Sequence, residues 1–403
     1  MKMVVVKEKL DFMDGNMAAA EAVRLCKPKV IVAYPITPQS PITEKLSEFV
    51  ADGDIDAQYI EIDGEHSCLA AIRGAATMGV RVFTATCGPG LMYAHENLEN
   101  IHLTRLPVVI AVPNRSHTSL YPDFSDSICE STTGWIQIFC ESPQEVLDTL
   151  IQAYKIAENW DVLMPTMVLF DGYVTSHTGA PIYIPSQEDV DEFLPAYKRA
   201  PHLSTLDAPI FAERRGSIPM MEMEHELAMQ NALEVIKNVH DEFAKKFGRG
   251  YGNGLVEKYL VDDADSVLVT ISSMTGTARK VIDDLRKEGK KIGLLKLKSF
   301  RPFPAKELID VAKNVKALGI CERQETHGSN CGEIYKEIRS VIYDLDKRPK
   351  TINFALGLGG VDVTIPHLRY AAEKTIEAAE TGKVAKSLIW SPEIEEAIKA
   401  KGA

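Results

Sequence analysis

The stretch from Lys29 to Glu65, KVIVAYPITPQSPITEKLSEFVADGDIDAQYIEIDGE, decides the fold of this chain. It begins with a short apolar run over 30–33, which is typical of a buried strand. Three prolines follow, and because each one fixes φ and removes a backbone donor, they exclude regular structure there. A helix is predicted from Ser40, since serine followed by proline is a common helix start. A second strand is predicted over 58–62, which makes the stretch a strand–helix–strand unit.

Polar side chains follow three of the predicted strands at the point where each strand ends. Thr37 follows the first strand, Glu65 follows the second, and Arg115 follows the apolar run 107–112. Open α/β sheets place their ligands at the carboxyl ends of parallel strands. The spacing therefore predicts an active-site rim that is formed by these three residues.

The strand–helix alternation continues along most of the chain, with strands that are almost continuously apolar. This pattern is typical of parallel sheets covered by helices on both faces, so the predicted fold class is α/β with two parallel-sheet domains. The predicted units are a catalytic domain over 1–180, a proline-rich linker and a long helix over 181–253, a second domain over 254–375, and a helical extension over 376–403.

Charge and hydropathy exclude some classes of partner. The chain has 403 residues and a formal net charge of −12, which disfavours nucleic acid or an anionic membrane surface as a partner. No apolar run reaches the length of a membrane-spanning helix, and the first residues lack the pattern of a cleaved signal. A cytoplasmic location is therefore expected.

The cysteine pattern argues against a metal centre in this chain. None of the seven cysteines forms a C-x-x-C pair, so neither an iron–sulfur cluster nor a zinc site is predicted here. No Gly-rich phosphate-binding fingerprint follows any predicted strand, which disfavours a flavodoxin-type or NAD-binding protein. The turn at 87–90 is interpreted as a tight strand-to-helix turn.

Several motifs in register give the chain a specific resemblance. It resembles the thiamine-diphosphate-dependent 2-oxoacid:ferredoxin oxidoreductases, and in particular their separate α subunit. The segments that carry the resemblance are Tyr34–Pro38, Gly64–Ser67, Asn114–Arg115, Asp171–Tyr173, Ser176–Thr178 and Phe300–Pro304. The resemblance implies that the first domain is similar to the pyrimidine-binding domain of thiamine enzymes. The second domain is similar to the carboxy-terminal transketolase domain.

The resemblance implies a cofactor role for residues near the predicted rim. Glu65 would hydrogen-bond N1′ of the aminopyrimidine. Without the motifs, the favoured interpretation would instead be a helix-start glutamate that is stabilised by the helix dipole. Pro35, Ile36 and Gly88 are implied as further cofactor contacts. The turn that contains Gly88 departs from the family pattern, because relatives more often carry a serine and a glutamine there. Asn16 is interpreted either as a helix N-cap or as a residue near the pocket.

The resemblance also implies the contacts with substrate. Arg115 suits the carboxylate of a 2-oxoacid, since a guanidinium grips a carboxylate with two hydrogen bonds, and Thr37 offers a hydroxyl. Asp123 and Phe124 are implied as further substrate contacts. Most relatives carry histidine where this chain has Phe124. If Phe124 and the nearby Tyr121 face the pocket, a bulky 2-oxoacid is expected; if they point away from it, pyruvate is expected.

The activity that the resemblance implies needs partner chains. It is the coenzyme-A-dependent oxidative decarboxylation of pyruvate to acyl-CoA, CO₂ and reduced ferredoxin, or the reverse. A β subunit would hold the diphosphate and Mg²⁺, while [4Fe-4S] clusters would lie in partner chains such as the γ and δ subunits. Two alternatives stay open: another substrate (2-oxoisovalerate, phenylglyoxylate or oxalate), or an assembly subunit with a vestigial pocket. Thr37 argues against oxalate, because the oxalate enzyme carries arginine there. The direction, the stoichiometry and the electron acceptor are also left open.

Overall fold

The computed structural model describes residues 8–198 and 218–401. The strands in these ranges are β1 (Glu8–Met13), β2 (Val30–Ala33), β3 (Gln58–Glu61), β4 (Val82–Ala85), β5 (Val109–Asn114), β6 (Ile136–Cys140), β7 (Thr166–Asp171), β8 (Ala180–Pro185), β9 (Val256–Tyr259), β10 (Ser266–Ile271), β11 (Ile292–Leu297), β12 (Ser299–Arg301), β13 (Ala317–Glu322), β14 (Lys350–Ala355) and β15 (Leu388–Trp390).

Helices cover both faces of the sheets that these strands form. The helices are α1 (Gly15–Cys26), α2 (Ser40–Ala51), α3 (Glu65–Thr77), α4 (Gly88–Tyr93), α5 (His95–Leu103), α6 (Ser125–Cys129), α7 (Pro143–Ala157), α8 (Gln187–Phe193), α9 (Ile218–Phe247), α10 (Met274–Lys287), α11 (Ala305–Ala312), α12 (Glu333–Ile342), α13 (Ile365–Thr381) and α14 (Pro392–Ala400). No helix in the described ranges is both long enough and apolar enough to cross a membrane.

The first domain is built on a seven-stranded sheet. Its strand order is β12-β6-β7-β5-β4-β2-β3, and every neighbouring pair is parallel except β12 with β6. The carboxyl ends of the parallel strands therefore meet at one edge, as the sequence predicts. The central strands β4, β5, β6 and β7 are buried along their whole length, which agrees with their continuous apolar sequence.

The second domain has a six-stranded sheet in the order β15-β14-β13-β10-β11-β9, in which only β9 is antiparallel to its neighbour. The α/β fold with two parallel-dominated sheets is therefore confirmed. A separate antiparallel pair, β1 with β8, lies outside both sheets.

The structure differs from the predicted organisation in three places. The predicted linker holds β8 and α8 as well as α9, while its residues 199–217 lie outside the described ranges. The predicted extension over 376–403 is not wholly helical, because β15 pairs in parallel with β14. Strand β12 lies within the predicted second domain, but it pairs with β6 and so extends the first domain's sheet. Strands of three residues are too short for periodicity to reveal.

A buried carboxylate with two lysines joins the two domains. Glu145 on α7 is fully buried, and its two oxygens lie 2.7 Å from the Lys296 Nζ and 2.6 Å from the Lys298 Nζ. Burial by itself raises the pKa of Glu145, but the two lysine charges outweigh it and hold that pKa well below 4.5. Lys296 and Lys298 are themselves almost completely buried, so each charge depends on the others for compensation.

Replacing Glu145 by glutamine should strongly destabilise the chain. Glu145→Gln leaves two buried ammonium groups without a counterion, and we expect the free energy of unfolding to fall by about 3–5 kcal/mol. Urea denaturation at neutral pH measures this change. The matched control is Glu48→Gln, which removes an exposed ion pair with Lys45 on α2 and should change the free energy of unfolding far less, because solvent screens that pair.

The pH dependence of stability shows whether Glu145 stabilises the chain by ion pairing or only by packing. Because the folded-state pKa of Glu145 is lowered, its contribution is complete above the unfolded value of 4.5 and is lost as pH falls below it. The difference in unfolding free energy between the natural chain and Glu145→Gln should therefore shrink as pH falls below 4.5. A difference that stays constant with pH would contradict the ion-pair interpretation.

Candidate active site

The turn after β2 presents Thr37 at the carboxyl edge of the first sheet. Thr37 and Pro35 are exposed and Ile36 is half-buried, while Pro38, on the far side of a cis peptide bond, is buried. The Cys87 thiol donates a hydrogen bond to the Thr37 carbonyl at 3.4 Å. Burial raises the pKa of that thiol far above its ordinary value, which keeps it protonated as a donor.

Asn16 supports the same turn from the other side. Its side-chain amide is fully buried and donates to the Pro38 carbonyl at 2.8 Å. The prediction that Asn16 caps α1 is wrong, because Asp14 is the cap and accepts a hydrogen bond from the Met17 N–H. The alternative interpretation, that Asn16 lies near the pocket, agrees with this contact. Both residues are good caps by type, so the sequence alone could not choose between them.

Glu65 is the first residue of α3 and lies at the same edge. Its side chain is 8% exposed and packs on Gly90, where an added Cβ would lie 2.3 Å from the Glu65 Oε1. Across residues 8–198 and 218–401, Glu65 forms no side-chain hydrogen bond or ion pair. A carboxylate that is mostly removed from water without a partner is costly, so this group is available to a ligand.

Arg115 follows β5 and is buried in the same way. It is 7% exposed, and no carboxylate among the described residues lies within ion-pair distance of its guanidinium. Its side chain covers Gly88, where an added Cβ would lie 2.4 Å from the Arg115 Nε, and that Nε makes no hydrogen bond. A buried cation without a counterion is a receptor for an anionic group.

The Gly88–Gly90 turn, which is the first turn of α4, is the surface on which each of these two side chains rests. The sequence correctly predicts a tight turn here, but it does not show why positions 88 and 90 are glycines. Gly88 has a φ of +54° and receives Arg115, while Gly90 receives Glu65. Each position admits a side chain from another strand only because it lacks a Cβ.

Asp126, which sequence reasoning did not single out, holds this turn in place. It is fully buried and accepts hydrogen bonds from the Gly88 N–H at 2.8 Å and the Arg115 N–H at 3.0 Å. The Asn114 amide and the Ser127 N–H donate to its other oxygen, at 2.8 and 2.7 Å. Burial raises the pKa of Asp126 to about 6 against the opposing effect of these four donors. An aspartate in the first turn of a short helix is common, so its residue type carries no sequence signal of such a role.

In the loop after Arg115, the residues predicted to contact substrate have other partners. The Asp123 carboxylate accepts from the N–H and hydroxyl of Ser125, which closes a local turn at the start of α6. Phe124 has no exposed surface and packs edge-on against Phe139, with ring centroids 5.3 Å apart. Tyr121 is 55% exposed and lies against Gly360 of the second domain. The expectation that Phe124 lines the pocket is therefore wrong, because its ring is part of the hydrophobic core.

Two histidines near the site have local partners. His66 lies 3.4 Å from Glu96 and packs near the Tyr93 ring, and His177 Nδ1 lies 2.7 Å from the Ser176 hydroxyl. These contacts give both histidines an ordinary structural role. In the described ranges, no group of three or more His, Cys, Asp or Glu residues is arranged to hold a metal ion.

The second domain closes the edge next to the site. The Asp171 carboxylate, at the end of β7, accepts from the Ser273 N–H at the start of α10 and lies 3.4 Å from an Arg323 nitrogen. The Arg323 carbonyl in turn accepts from the Phe124 N–H at 3.4 Å. The carboxyl edges of the two sheets therefore face each other across this contact.

The residues at the edge fit the pyrimidine side of a thiamine cofactor. Glu65 offers an unpaired carboxylate to a ring nitrogen, and the exposed turn at Pro35–Thr37 lies beside it in the strand order. The backbone of the Thr37 turn is already held by Cys87 and Asn16, and that of the Gly88–Gly90 turn by Asp126. Such preorganisation favours binding, because little order is lost when the ligand enters.

Comparisons with known proteins agree with this geometry. Residues 21–245 match the family model described as pyruvate flavodoxin/ferredoxin oxidoreductase, thiamine diphosphate-binding, and residues 264–368 match pyruvate:ferredoxin oxidoreductase core domain II. Pyruvate synthase subunit PorA of Methanocaldococcus jannaschii is 45% identical, over 88% of this chain and 92% of its own. The alpha subunit of NADH-dependent phenylglyoxylate dehydrogenase of Aromatoleum evansii is 39% identical, over 94% of both chains.

A solved structure shows the same fold. The 2-oxoglutarate:ferredoxin oxidoreductase of Magnetococcus marinus superposes with a TM-score of 0.70 at 19% identity, covering 91% of this chain and 65% of that chain. The sequence matches cover both domains and more than half of the chain. The chain therefore belongs to the thiamine-diphosphate-dependent pyruvate flavodoxin/ferredoxin oxidoreductase family.

Proposed function

We propose that the chain is the α subunit of a 2-oxoacid:ferredoxin oxidoreductase that acts on pyruvate with coenzyme A. The observation that carries the proposal is the pair Glu65 and Arg115. These are two buried groups of opposite charge that lack partners in the described ranges and rest on one glycine turn. The substrate carries a carboxylate for the arginine, and the cofactor carries a ring nitrogen for the glutamate.

Each residue of the site has a distinct task in the proposed reaction. When bound, thiamine diphosphate supplies the nucleophilic carbon for decarboxylation. Glu65 holds a proton in a hydrogen bond to N1′ of the pyrimidine ring and so fixes its orientation. Arg115 binds the 2-oxoacid carboxylate until it leaves as CO₂ and keeps it in the orientation needed for attack. Thr37 offers its hydroxyl to the same carboxylate or to the keto oxygen.

The choice of pyruvate rests on the loop after Arg115. Phe124 is held in the core and Tyr121 lies over the second domain, so neither ring is placed to form an aromatic pocket for a large substrate. The pyruvate synthase relative, at 45% identity, supports the same choice. The phenylglyoxylate dehydrogenase relative, at 39% identity over 94% of the chain, makes an aryl 2-oxoacid the second candidate.

The surface around the site supports a partner subunit. Thr37 and Pro35 are exposed, and Ile60 and Tyr93 near the same edge are 41% and 62% exposed. Apolar surface of this kind next to a half-built site favours docking of another polypeptide. We infer that a β subunit covers this surface and supplies the diphosphate and Mg²⁺ ligands. Further subunits would carry the [4Fe-4S] clusters and deliver electrons to ferredoxin in the cytoplasm.

The Glu65 assignment predicts loss of turnover without loss of assembly. In the complex purified with its partner chains, Glu65→Gln should lower turnover by about 10²–10⁴-fold, because the ring nitrogen loses its acidic partner. Coenzyme-A-dependent reduction of a low-potential dye measures turnover, and size-exclusion chromatography measures assembly. Glu48→Gln removes the same charge from an exposed site and should leave both unchanged. Full activity of Glu65→Gln would contradict the catalytic role and favour a vestigial assembly subunit.

Because Gly90 contacts the Glu65 side chain, a substitution at Gly90 alone should lower turnover. A Cβ at Gly90 would lie 2.3 Å from the Glu65 Oε1, so Gly90→Ala should displace the carboxylate and lower turnover by about 10²-fold. The matched control is Gly276→Ala on α10, where an added Cβ meets nothing within 4 Å. That variant should keep full turnover. Equal turnover of both variants would show that the Glu65–Gly90 contact has no part in catalysis.

A substrate panel tests the choice between small and aryl 2-oxoacids. With the natural complex, we expect kcat/KM to be at least about tenfold higher for pyruvate than for phenylglyoxylate, because neither Phe124 nor Tyr121 is placed to line a pocket for an aromatic ring. The same dye assay with 2-oxoisovalerate and oxalate completes the comparison. A preference for phenylglyoxylate would overturn the assignment of pyruvate but leave the reaction class intact, whereas no activity with any of the four acids would overturn the reaction class.

A further inference from the structure

Asp126 is a buried carboxylate whose partners are all neutral N–H groups. It is completely inaccessible to solvent and forms no ion pair with any residue in the described ranges. Its Oδ2 accepts from the Gly88 and Arg115 N–H groups, and its Oδ1 accepts from the Asn114 amide and the Ser127 N–H. Since all four neighbours donate, only the ionised carboxylate satisfies them.

The contacts of Oδ2 join two neighbouring strand ends. Gly88 follows β4 and Arg115 follows β5, and these two strands are adjacent and parallel in the sheet. One oxygen atom, 2.8 Å from the first N–H group and 3.0 Å from the second, thus holds the two backbones together. The Arg115 side chain then lies directly over the Cα of Gly88.

The same turn also contacts Glu65, the second charged group of the site. Two residues after Gly88, Gly90 forms the surface on which the Glu65 carboxylate rests. A shift of Gly88 relative to Arg115 therefore changes the position of Arg115 relative to Glu65. Glu65 would fix the cofactor ring and Arg115 would fix the substrate carboxylate, so the distance between these two groups would set where the keto carbon lies relative to the ring.

We propose that Asp126 is a positioning residue that sets the Arg115 guanidinium at the distance from Glu65 that a 2-oxoacid requires. This proposal rests on the proposed function, because it assigns Arg115 to the carboxylate of the substrate. Asp126 itself does not touch substrate or cofactor, since its side chain has no accessible surface and both its oxygens are taken. Its effect acts through the backbones of Gly88 and Arg115.

The test replaces Asp126 by the isosteric asparagine in the assembled complex. Asp126→Asn replaces one carboxylate oxygen by an N–H₂ donor, so the two hydrogen bonds that this oxygen accepts are lost whichever way the amide turns. We expect the KM for the 2-oxoacid to rise about 10–100-fold, which is the effect of losing a hydrogen bond to a charged group. The change in kcat should be smaller. The KM for coenzyme A should not change.

The matched control is a second fully buried carboxylate, none of whose hydrogen bonds involves Gly88 or Arg115. Glu322 accepts from the Ile334 and Tyr335 N–H groups and from the Asn353 amide in the second domain. Glu322→Gln should lower the thermal unfolding midpoint, as Asp126→Asn does, while the KM for the 2-oxoacid stays at its natural value. This comparison separates positioning from a general loss of stability.

A milder variant decides the question if Asp126→Asn does not assemble. Asn114→Ala removes one donor to the Oδ1 of Asp126 and keeps the carboxylate, so it should raise the KM for the 2-oxoacid in the same direction by a smaller factor. An unchanged KM in the variant that assembles, or an equal rise in Glu322→Gln, would overturn the positioning role. Failure of the natural complex to use any 2-oxoacid would instead overturn the proposed function itself.

Discussion

The close approach of two charged side chains to the Gly88–Gly90 turn is the constraint on which the site depends. Arg115 and Glu65 occupy space that a Cβ would fill, at 2.4 and 2.3 Å from the positions of such atoms. The two groups arrive from different strands, and neither has a counterion in the described ranges. Their burial without partners is unfavourable in this chain alone, so the fold keeps two groups ready for ligands that supply the missing partners.

The surrounding polar contacts explain how this unfavourable arrangement is kept. Asn16 and Cys87 hold the Thr37 turn through backbone carbonyls, and Asp126 holds Gly88 and Arg115 through backbone N–H groups. All of these bonds are made with the backbone and leave the functional side chains free. At the domain boundary, Glu145 with its two lysines and the added strand β12 join the second half of the chain to the first sheet.

Much of this architecture could be predicted from the amino-acid sequence. The apolar runs at β2, β4 and β5 are long enough to be recognised as buried strands, and their parallel order brings the residues after them to one edge. Short elements could not be predicted, because they contain too few residues to show a pattern. The three residues of β15 give no periodicity, and they become a strand only because β14 offers an unpaired edge.

The sequence by itself determined the α/β class, the strand ends that carry Thr37, Glu65 and Arg115, and the family resemblance that the comparisons confirm. These features depend on local patterns and on residue types in register. Only the tertiary structure decided that Phe124 belongs to the core, that Asp14 rather than Asn16 caps α1, and that Asp126 joins two strand ends. Each of these depends on which distant backbone lies within hydrogen-bond or van der Waals distance, and that is a property of packing that no local pattern records.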